Sequence, residues 1–187
     1  MTEYIEIYDV NNISRQETKT RRLVHEHGDW HRTAQVYVIN DKQEFLCNLR
    51  SPSKDVFPML WDLSIGGHLS PGESYESCAM RELAEELGIE PDYKNLQWIG
   101  IQSIDGKDEV QGLIDREHAG IFLYTCHMPA HAFHFQQDEI IELRYFSISF
   151  LKSNLLAAQP DIPIIPLHEK FLEILSMIER KLSNKHL

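Results

Sequence analysis

The stretch that decides the fold is Gly67–Ile89, GHLSPGESYESCAMRELAEELGI. It carries three carboxylates, Glu82, Glu85 and Glu86, and their spacing puts all three on one face of an α-helix. Like charges at this spacing repel each other and destabilise an isolated helix. A hard divalent cation such as Mg²⁺, which prefers carboxylate, water and phosphate oxygens, would relieve that repulsion.

The opposite side of the same helix is apolar, with Ala79, Leu83 and Leu87 in one stripe. A solvated acidic face is the alternative explanation for the glutamates, since most runs of charge are of that kind. The apolar stripe instead favours a helix packed on a core, with its acidic face held in a fixed position.

The whole chain has the composition of a soluble globular protein. Its 187 residues suit one domain, and 42% hydrophobic with 25% charged residues leaves enough apolar side chain for a core. No apolar run is long enough to span a bilayer, and the first residues do not resemble a secretory signal. The formal net charge of −11 argues against a broad nucleic-acid surface, so we expect neither nucleic acid nor membrane as a partner.

The three cysteines, Cys47, Cys78 and Cys126, lie far apart and form no CxxC pair. This pattern favours small buried hydrophobic residues in a reducing compartment over disulfides or zinc ligands. The sequence therefore predicts a cytoplasmic protein.

Alternation of apolar and polar residues predicts the secondary structure along the chain. The predicted strands are 3–10, 34–40, 44–49, 61–65, 95–103, 119–126 and 140–148, with 34–40 and 44–49 forming a hairpin. The predicted helices are 74–87, 149–157 and 167–183. The stretch 104–116 reads as a polar loop or hairpin, and 127–138 as a loop that contains His127, His131 and His134.

The pattern Gly-x5-Glu-x7-Arg-Glu-U-x-Glu-Glu-x-Gly-U, where U is aliphatic, runs from Gly67 to Ile89. It resembles the box of the Nudix hydrolases at every fixed position. The resemblance implies an α/β (α+β) fold in which a mixed sheet is sandwiched between helices. Residues 1–187 would form one Nudix domain, with 1–30 as an N-terminal strand and extension and 31–187 as the core.

The resemblance also assigns roles within the box. In Nudix enzymes the glutamates corresponding to Glu82, Glu85 and Glu86 bind the catalytic metal, often with a backbone carbonyl near Gly67. The expected cofactor is Mg²⁺, with Mn²⁺ as the alternative. Arg81 would orient the glutamates.

Two further acidic residues receive expected roles from the same comparison. Glu73 fits a bracing role or a charge at the helix N-terminus. The general base stays open between Glu82 and Glu139, which precedes the last predicted strand and could equally be a solvated acid.

Two segments upstream of the box resemble the subgroup that includes the type 1 isopentenyl-diphosphate isomerases. They are Trp30-His31-Arg32-Thr33 and Leu49-Arg50-x3-Lys54-x3-Pro58-x2-Trp61. In that subgroup an Arg and a Lys at this spacing bind the diphosphate, which implies that role for Arg50 and Lys54. Exposed loop charges are the alternative.

The metal site of the isomerases maps approximately onto His31, His68, Asp115 and Glu117, with His25 displaced by one residue. This set would form a second, more nitrogen-rich position suited to Mn²⁺ or Zn²⁺. Structural histidines are the alternative, since a lone histidine more often has that role.

Two departures count against isomerase chemistry. The isomerases use a Cys two residues before the conserved His, where this chain has Gly66, and their box lacks some of the paired glutamates that are complete here. The sequence therefore predicts a metal-dependent hydrolase of a nucleoside diphosphate derivative or related organic diphosphate.

Isomerase-type activity and a non-catalytic nucleotide-binding Nudix domain are the alternatives to this function. The substrate depends on the loops 51–60, 104–116 and 127–138, whose residue types permit many shapes. The oligomeric state does not follow from the sequence either, and a homodimer is compatible with it.

Overall fold

The apolar segments of the chain assemble into one mixed sheet with helices on both of its faces. The structure is a computed structural model and describes residues 2–54, 57–108 and 113–183. Its strands are β1 (Tyr4–Tyr8), β2 (Ser14–Thr20), β3 (Trp30–Ile39), β4 (Glu44–Arg50), β5 (Trp61–Asp62), β6 (Ile65–His68), β7 (Leu96–Asp108), β8 (Leu113–Thr125) and β9 (Ile140–Ser147). Its helices are α1 (Arg21–His27), α2 (Tyr75–Leu87), α3 (Ile148–Leu156) and α4 (His168–Ser183).

Strand β3 is the centre of the sheet. It pairs in parallel with β8 along its whole length, from Trp30 opposite Arg116 to Ile39 opposite Thr125. It also pairs antiparallel with β6, and β8 continues the sheet through an antiparallel pairing with β7. Strand β4 lies next to β9 and β5.

The two faces of the sheet bury separate apolar cores. On one face, Ala34 and Val36 of β3 pack with Ala79, Leu83 and Leu87 of α2. On the other face, residues of β3, β4 and β8 pack against α3 and α4. This arrangement confirms the predicted mixed sheet sandwiched between helices and the predicted apolar stripe of the box helix.

Helix α2 begins and ends where its local sequence allows. The Ser74 side chain accepts a hydrogen bond from the Ser77 backbone N–H, and the Ser77 hydroxyl oxygen accepts one from the Ser74 backbone N–H. The two bonds together form a capping box. Gly88 follows the helix with φ 64°, a left-handed conformation that favours glycine.

Most predicted elements are confirmed within a few residues at their ends. The predicted hairpin of β3 and β4 is only partly correct, because the two strands pair at Ile39 and Phe45 and β4 then pairs with β9. Much of the stretch 104–116, predicted as a polar loop or hairpin, belongs to the antiparallel strands β7 and β8, which confirms the hairpin alternative. Residues 55–56 and 109–112 of the predicted selectivity loops lie outside the described residues.

All three cysteines are buried and unpaired, as expected. Within the described residues, no helix combines the length and the apolarity that crossing a bilayer requires.

Candidate active site

The register of the sheet gathers polar side chains at one end of β3. His31 lies opposite Glu117 of β8, and Thr33 lies opposite His68 of β6. Side chains two residues apart share one face of a strand, so His31, Thr33 and Gln35 point the same way. The Thr33 hydroxyl donates a hydrogen bond of 3.1 Å to the Glu117 carboxylate.

Arg81 organises the acidic residues of the box. Its guanidinium donates to both carboxylate oxygens of Glu73 at 3.0 and 3.1 Å, to Glu82 at 2.6 Å and to Glu85 at 3.1 Å. It also donates to the backbone carbonyl of His68 at 3.0 Å. These hydrogen bonds, first those to Glu73, raise the pKa of Arg81 further, so the guanidinium stays charged.

Glu82 reaches the backbone of β6 because Gly67 has no side chain. A Cβ atom at Gly67 would lie 2.3 Å from Oε1 of Glu82, closer than real Cβ contacts allow. The carboxylate and the Gly67 backbone therefore form one oxygen-rich corner.

The glutamates of this corner are hard to ionise without a positive partner. Burial raises the pKa of Glu82, although Arg81 opposes the shift. Burial and then the charge of Glu82 raise the pKa of Glu86 to about 8, although Lys54 opposes the rise. The donor set fits a divalent cation, which would supply the missing positive charge.

The glutamates open onto a polar cavity of about 310 Å³. The cations Arg21, Arg50 and Lys54 line this cavity together with the carboxylates Asp62 and Glu139. Arg50 lies 3.6 Å from Asp62, and Lys54 forms an ion pair with Glu139. Burial, and then the nearby Arg50, lowers the pKa of Lys54.

Three histidines and two acids form a second cluster beside this cavity. The ligand atoms of His25, His31 and His68 lie within 4.8 Å of one another, as do those of His31, Asp115 and Glu117. His31 Nε2 lies 3.7 Å from Asp115 Oδ1 and 4.0 Å from Glu117 Oε1. Within the described part of the chain, neither His31 Nε2 nor Asp115 Oδ1 has a hydrogen-bond partner although both atoms are buried.

The other nitrogens of these histidines are held by neighbouring groups. Nδ1 of His31 donates to the Asp29 carbonyl at 3.0 Å, and Nδ1 of His25 donates to the Arg21 carbonyl at 2.9 Å. In a neutral ring with this hydrogen bond, Nε2 keeps its lone pair free for a ligand. Nδ1 of His68 lies 3.1 Å from the Glu3 carboxylate. Burial lowers the pKa of His31 to about 4, which keeps the ring neutral.

The NUDIX domain family matches residues 29–167, more than half of the chain. The chain belongs to the Nudix family. Its family and fold support a pyrophosphohydrolase.

Two relatives are similar to this chain in sequence, and one solved structure has a similar fold. An uncharacterised Nudix hydrolase of Clostridium acetobutylicum is 37% identical over 146 residues, which cover 75% of this chain and 68% of the relative. An isopentenyl-diphosphate Delta-isomerase of Nocardia farcinica is 29% identical over 133 residues, covering 71% of this chain and 72% of the relative. The crystal structure of DR0079 from Deinococcus radiodurans has the same fold, with a TM-score of 0.66, 20% identity and coverage of 89% of this chain and 96% of that one.

Several residues of this Nudix site do not follow from the sequence. Glu3, Arg21 and Asp62 line the cavity, and Glu3 and Arg21 precede the segment that matches the family. Arg21 lies in the segment 11–30, whose sequence has no clear periodicity. The position of all three residues at the cavity depends on long-range contacts. His127, a loop histidine in the sequence, is exposed and lies 2.6 Å from Asp41, away from the cluster.

Proposed function

We propose that this chain is a metal-dependent Nudix hydrolase that cleaves the diphosphate linkage of a nucleoside diphosphate derivative or a related organic diphosphate. The observation that carries the proposal is one polar cavity lined both by the box glutamates and by Arg50 and Lys54. Carboxylates suit a divalent cation, whereas guanidinium and ammonium groups suit phosphate.

The metal would be held by Glu82, Glu85 and Glu86, with the backbone carbonyl of Gly67 as a further oxygen ligand. Mg²⁺ is the proposed ion, and Mn²⁺ is the alternative. A bound cation of this kind supplies Lewis acidity and neutralises phosphate charge. Arg81 holds Glu82 and Glu85 in place for it.

The reaction is the attack of water on one phosphorus of the diphosphate. The water oxygen forms a bond to phosphorus, its proton passes to Glu82 or Glu139, and the bridging P–O bond breaks. The second phosphate leaves with the electron pair of that bond. Arg50 and Lys54 bind the phosphate oxygens and offset the charge that develops on them.

The histidine cluster is proposed as a second metal position, formed by His31, His68, Asp115 and Glu117 together with His25. The two buried atoms without hydrogen-bond partners, His31 Nε2 and Asp115 Oδ1, support this proposal. Imidazole nitrogens combined with carboxylates suit Mn²⁺ or Zn²⁺. Elemental analysis of the purified protein and of a His31→Ala variant would test it, because loss of one equivalent of metal from the variant alone is the expected result.

Isomerase activity is a second candidate, which the histidine cluster and the similarity to the Nocardia farcinica isomerase favour. Gly66 opposes it. A Cβ atom at this position would lie 2.0 Å from the carbonyl oxygen of Ala34, so the backbone leaves no room for a cysteine side chain without movement. Incubation with isopentenyl diphosphate and Mg²⁺ or Mn²⁺ should therefore yield no dimethylallyl diphosphate.

The deciding experiment is a screen of nucleoside diphosphate derivatives, dinucleoside polyphosphates, thiamine diphosphate and prenyl diphosphates, with phosphate release measured with and without phosphatase. We expect hydrolysis that requires a divalent cation and that is lost in Glu82→Gln and Glu86→Gln. Full activity of both variants on a genuine substrate would refute the proposal. Tight binding of a nucleotide without turnover across the panel would instead indicate a non-catalytic domain.

A further inference from the structure

Lys54 and Glu139 approach the cavity from two different loops and are each other's partner. The Lys54 ammonium forms an ion pair with the Glu139 carboxylate, and both side chains line the cavity. The pair is partly exposed, with side-chain accessibilities of 24% and 34%. A proposed phosphate ligand and a proposed general base thus neutralise each other in the absence of substrate.

The pairing does not depend on these two side chains alone. The Ser51 backbone N–H donates to the Glu139 carbonyl at 2.9 Å, and the Ser53 hydroxyl donates to the Asp138 carbonyl at 2.9 Å. The two loops are therefore joined, and the Glu139 carboxylate stays within reach of Lys54. The Gln136 N–H also donates to the Glu86 carbonyl at 3.1 Å, which links the same loop to the end of the box helix.

The neighbouring ion pair, Arg50 with Asp62, differs from the Lys54–Glu139 pair in the exposure and hydrogen bonding of its carboxylate. Asp62, the partner of Arg50, has a side-chain accessibility of 18% and accepts hydrogen bonds from Ser64 at 3.2 and 3.3 Å. That carboxylate is fixed in the wall of the cavity. Glu139 is more exposed than Asp62, so it is the carboxylate of the two that a ligand can displace.

Given the proposed hydrolysis of diphosphates, on which this inference rests, we propose that Glu139 occupies the anion position of Lys54 until a substrate phosphate displaces it. A phosphate group carries more charge than a carboxylate and offers more acceptor oxygens, so the ammonium exchanges partners. The released Glu139 then faces the cavity as an uncompensated carboxylate that can accept the proton of the attacking water. The base therefore becomes available only when the diphosphate is in place.

The exchange predicts a non-additive pattern in binding. Inorganic pyrophosphate serves as the probe, and calorimetry in the presence of a chelator removes any contribution from metal. Glu139→Gln should bind pyrophosphate about three- to five-fold more tightly than the unmodified protein, the effect of losing one partly exposed ion pair. Lys54→Met should bind it more weakly, and adding Glu139→Gln to Lys54→Met should give no gain.

The matched control is Glu142→Gln. Glu142 belongs to the following strand, β9, pairs with Arg144 outside the cavity, and its replacement changes the net charge by the same amount. An affinity that Glu139→Gln leaves unchanged or weakens would overturn the exchange. So would an equal gain in the Lys54→Met background, a similar gain in Glu142→Gln, or undetectable pyrophosphate binding in all variants.

Steady-state kinetics separate this inference from the function on which it rests. With a substrate from the screen, Glu139→Gln should lower both KM and kcat, whereas an unchanged kcat would overturn the role of Glu139 as the released base. If no diphosphate is hydrolysed, the proposed function fails. The binding cycle with pyrophosphate still decides whether Lys54 exchanges Glu139 for phosphate.

Discussion

Counting the charges in the sequence does not reveal how many groups the Arg81 guanidinium bonds. One planar guanidinium bonds Glu73, Glu82, Glu85 and the His68 carbonyl at the same time. The sequence predicts its contact with Glu85, because the two residues are one helical turn apart. The contact with the His68 carbonyl ties the helix to β6 and depends on tertiary packing that no local pattern encodes.

Arg81→Lys keeps the positive charge but loses the forked donor geometry. We expect metal affinity and kcat to fall by about 10- to 100-fold, as for other groups that orient metal ligands. Metal titrations of binding and of activity would measure both. Arg144→Lys is the control, because Arg144 forms an exposed ion pair with Glu142 and is not among the described residues that line the cavity. Equal metal affinity in Arg81→Lys and the control would contradict the bracing role.

Some residues of the cavity can be predicted from the sequence, and others cannot. Glu82, Glu85 and Glu86 are predicted as a set because one helix fixes their spacing. Asp62 and Arg21 join them only through strand pairing and through the N-terminal segment that folds over the site. His25, noted in the sequence as displaced by one residue, lies beside His31 and His68 because α1 carries it there.

The bounds of helices follow from the sequence more closely than the partners of strands do. Helices α2, α3 and α4 begin and end within a residue or so of their predicted bounds, since capping residues and apolar periodicity are local signals. Strand β8 is longer than predicted, because it begins at Leu113 whereas the predicted strand is 119–126. Its first half carries Asp115 and Glu117, which belong to the histidine cluster because a carboxylate oxygen of each lies within 4.8 Å of a ring nitrogen of His31. The parallel pairing of β3 with β8 joins residues about 85 positions apart, which no local pattern indicates.

The contribution of the capping box can be tested, because it fixes the first turn of α2, the helix that carries the glutamates. Ser74→Ala removes the acceptor for the Ser77 N–H and should lower the free energy of unfolding by about 1 kcal/mol. Urea denaturation would measure it. Ser183→Ala is the comparison, since Ser183 lies at the last turn of α4 and donates its hydroxyl to the Glu179 carbonyl of the same helix. A larger loss in Ser183→Ala than in Ser74→Ala would contradict the capping argument.

The whole molecule should respond to pH through its buried acidic cavity. The pKa of Glu86 is about 8 in the folded chain without metal, against about 4.3 in an unfolded chain. Between these values the folded state holds a proton that the unfolded state has lost, so the free energy of unfolding falls as pH rises. His31, with a pKa of about 4, has the opposite effect, because the unfolded state binds its proton up to about pH 6.5. From about pH 7 to about pH 8 the acidic residues dominate.

In this window, the proposed Mg²⁺ would compete with a proton for the same carboxylates, so stabilisation by Mg²⁺ should grow with pH. Thermal melts with a chelator should give a Tm that falls between about pH 7 and about pH 8. The same melts with Mg²⁺ should remove that fall, a difference of at least about 2–4 °C, which corresponds to about 1 kcal/mol in a chain of this size. Glu86→Gln cannot ionise at this position, so it should flatten the metal-free profile and weaken the response to Mg²⁺. A metal-free Tm that rises across the window, or a Glu86→Gln profile as steep as that of the unmodified chain, would exclude Glu86 as the titrating group.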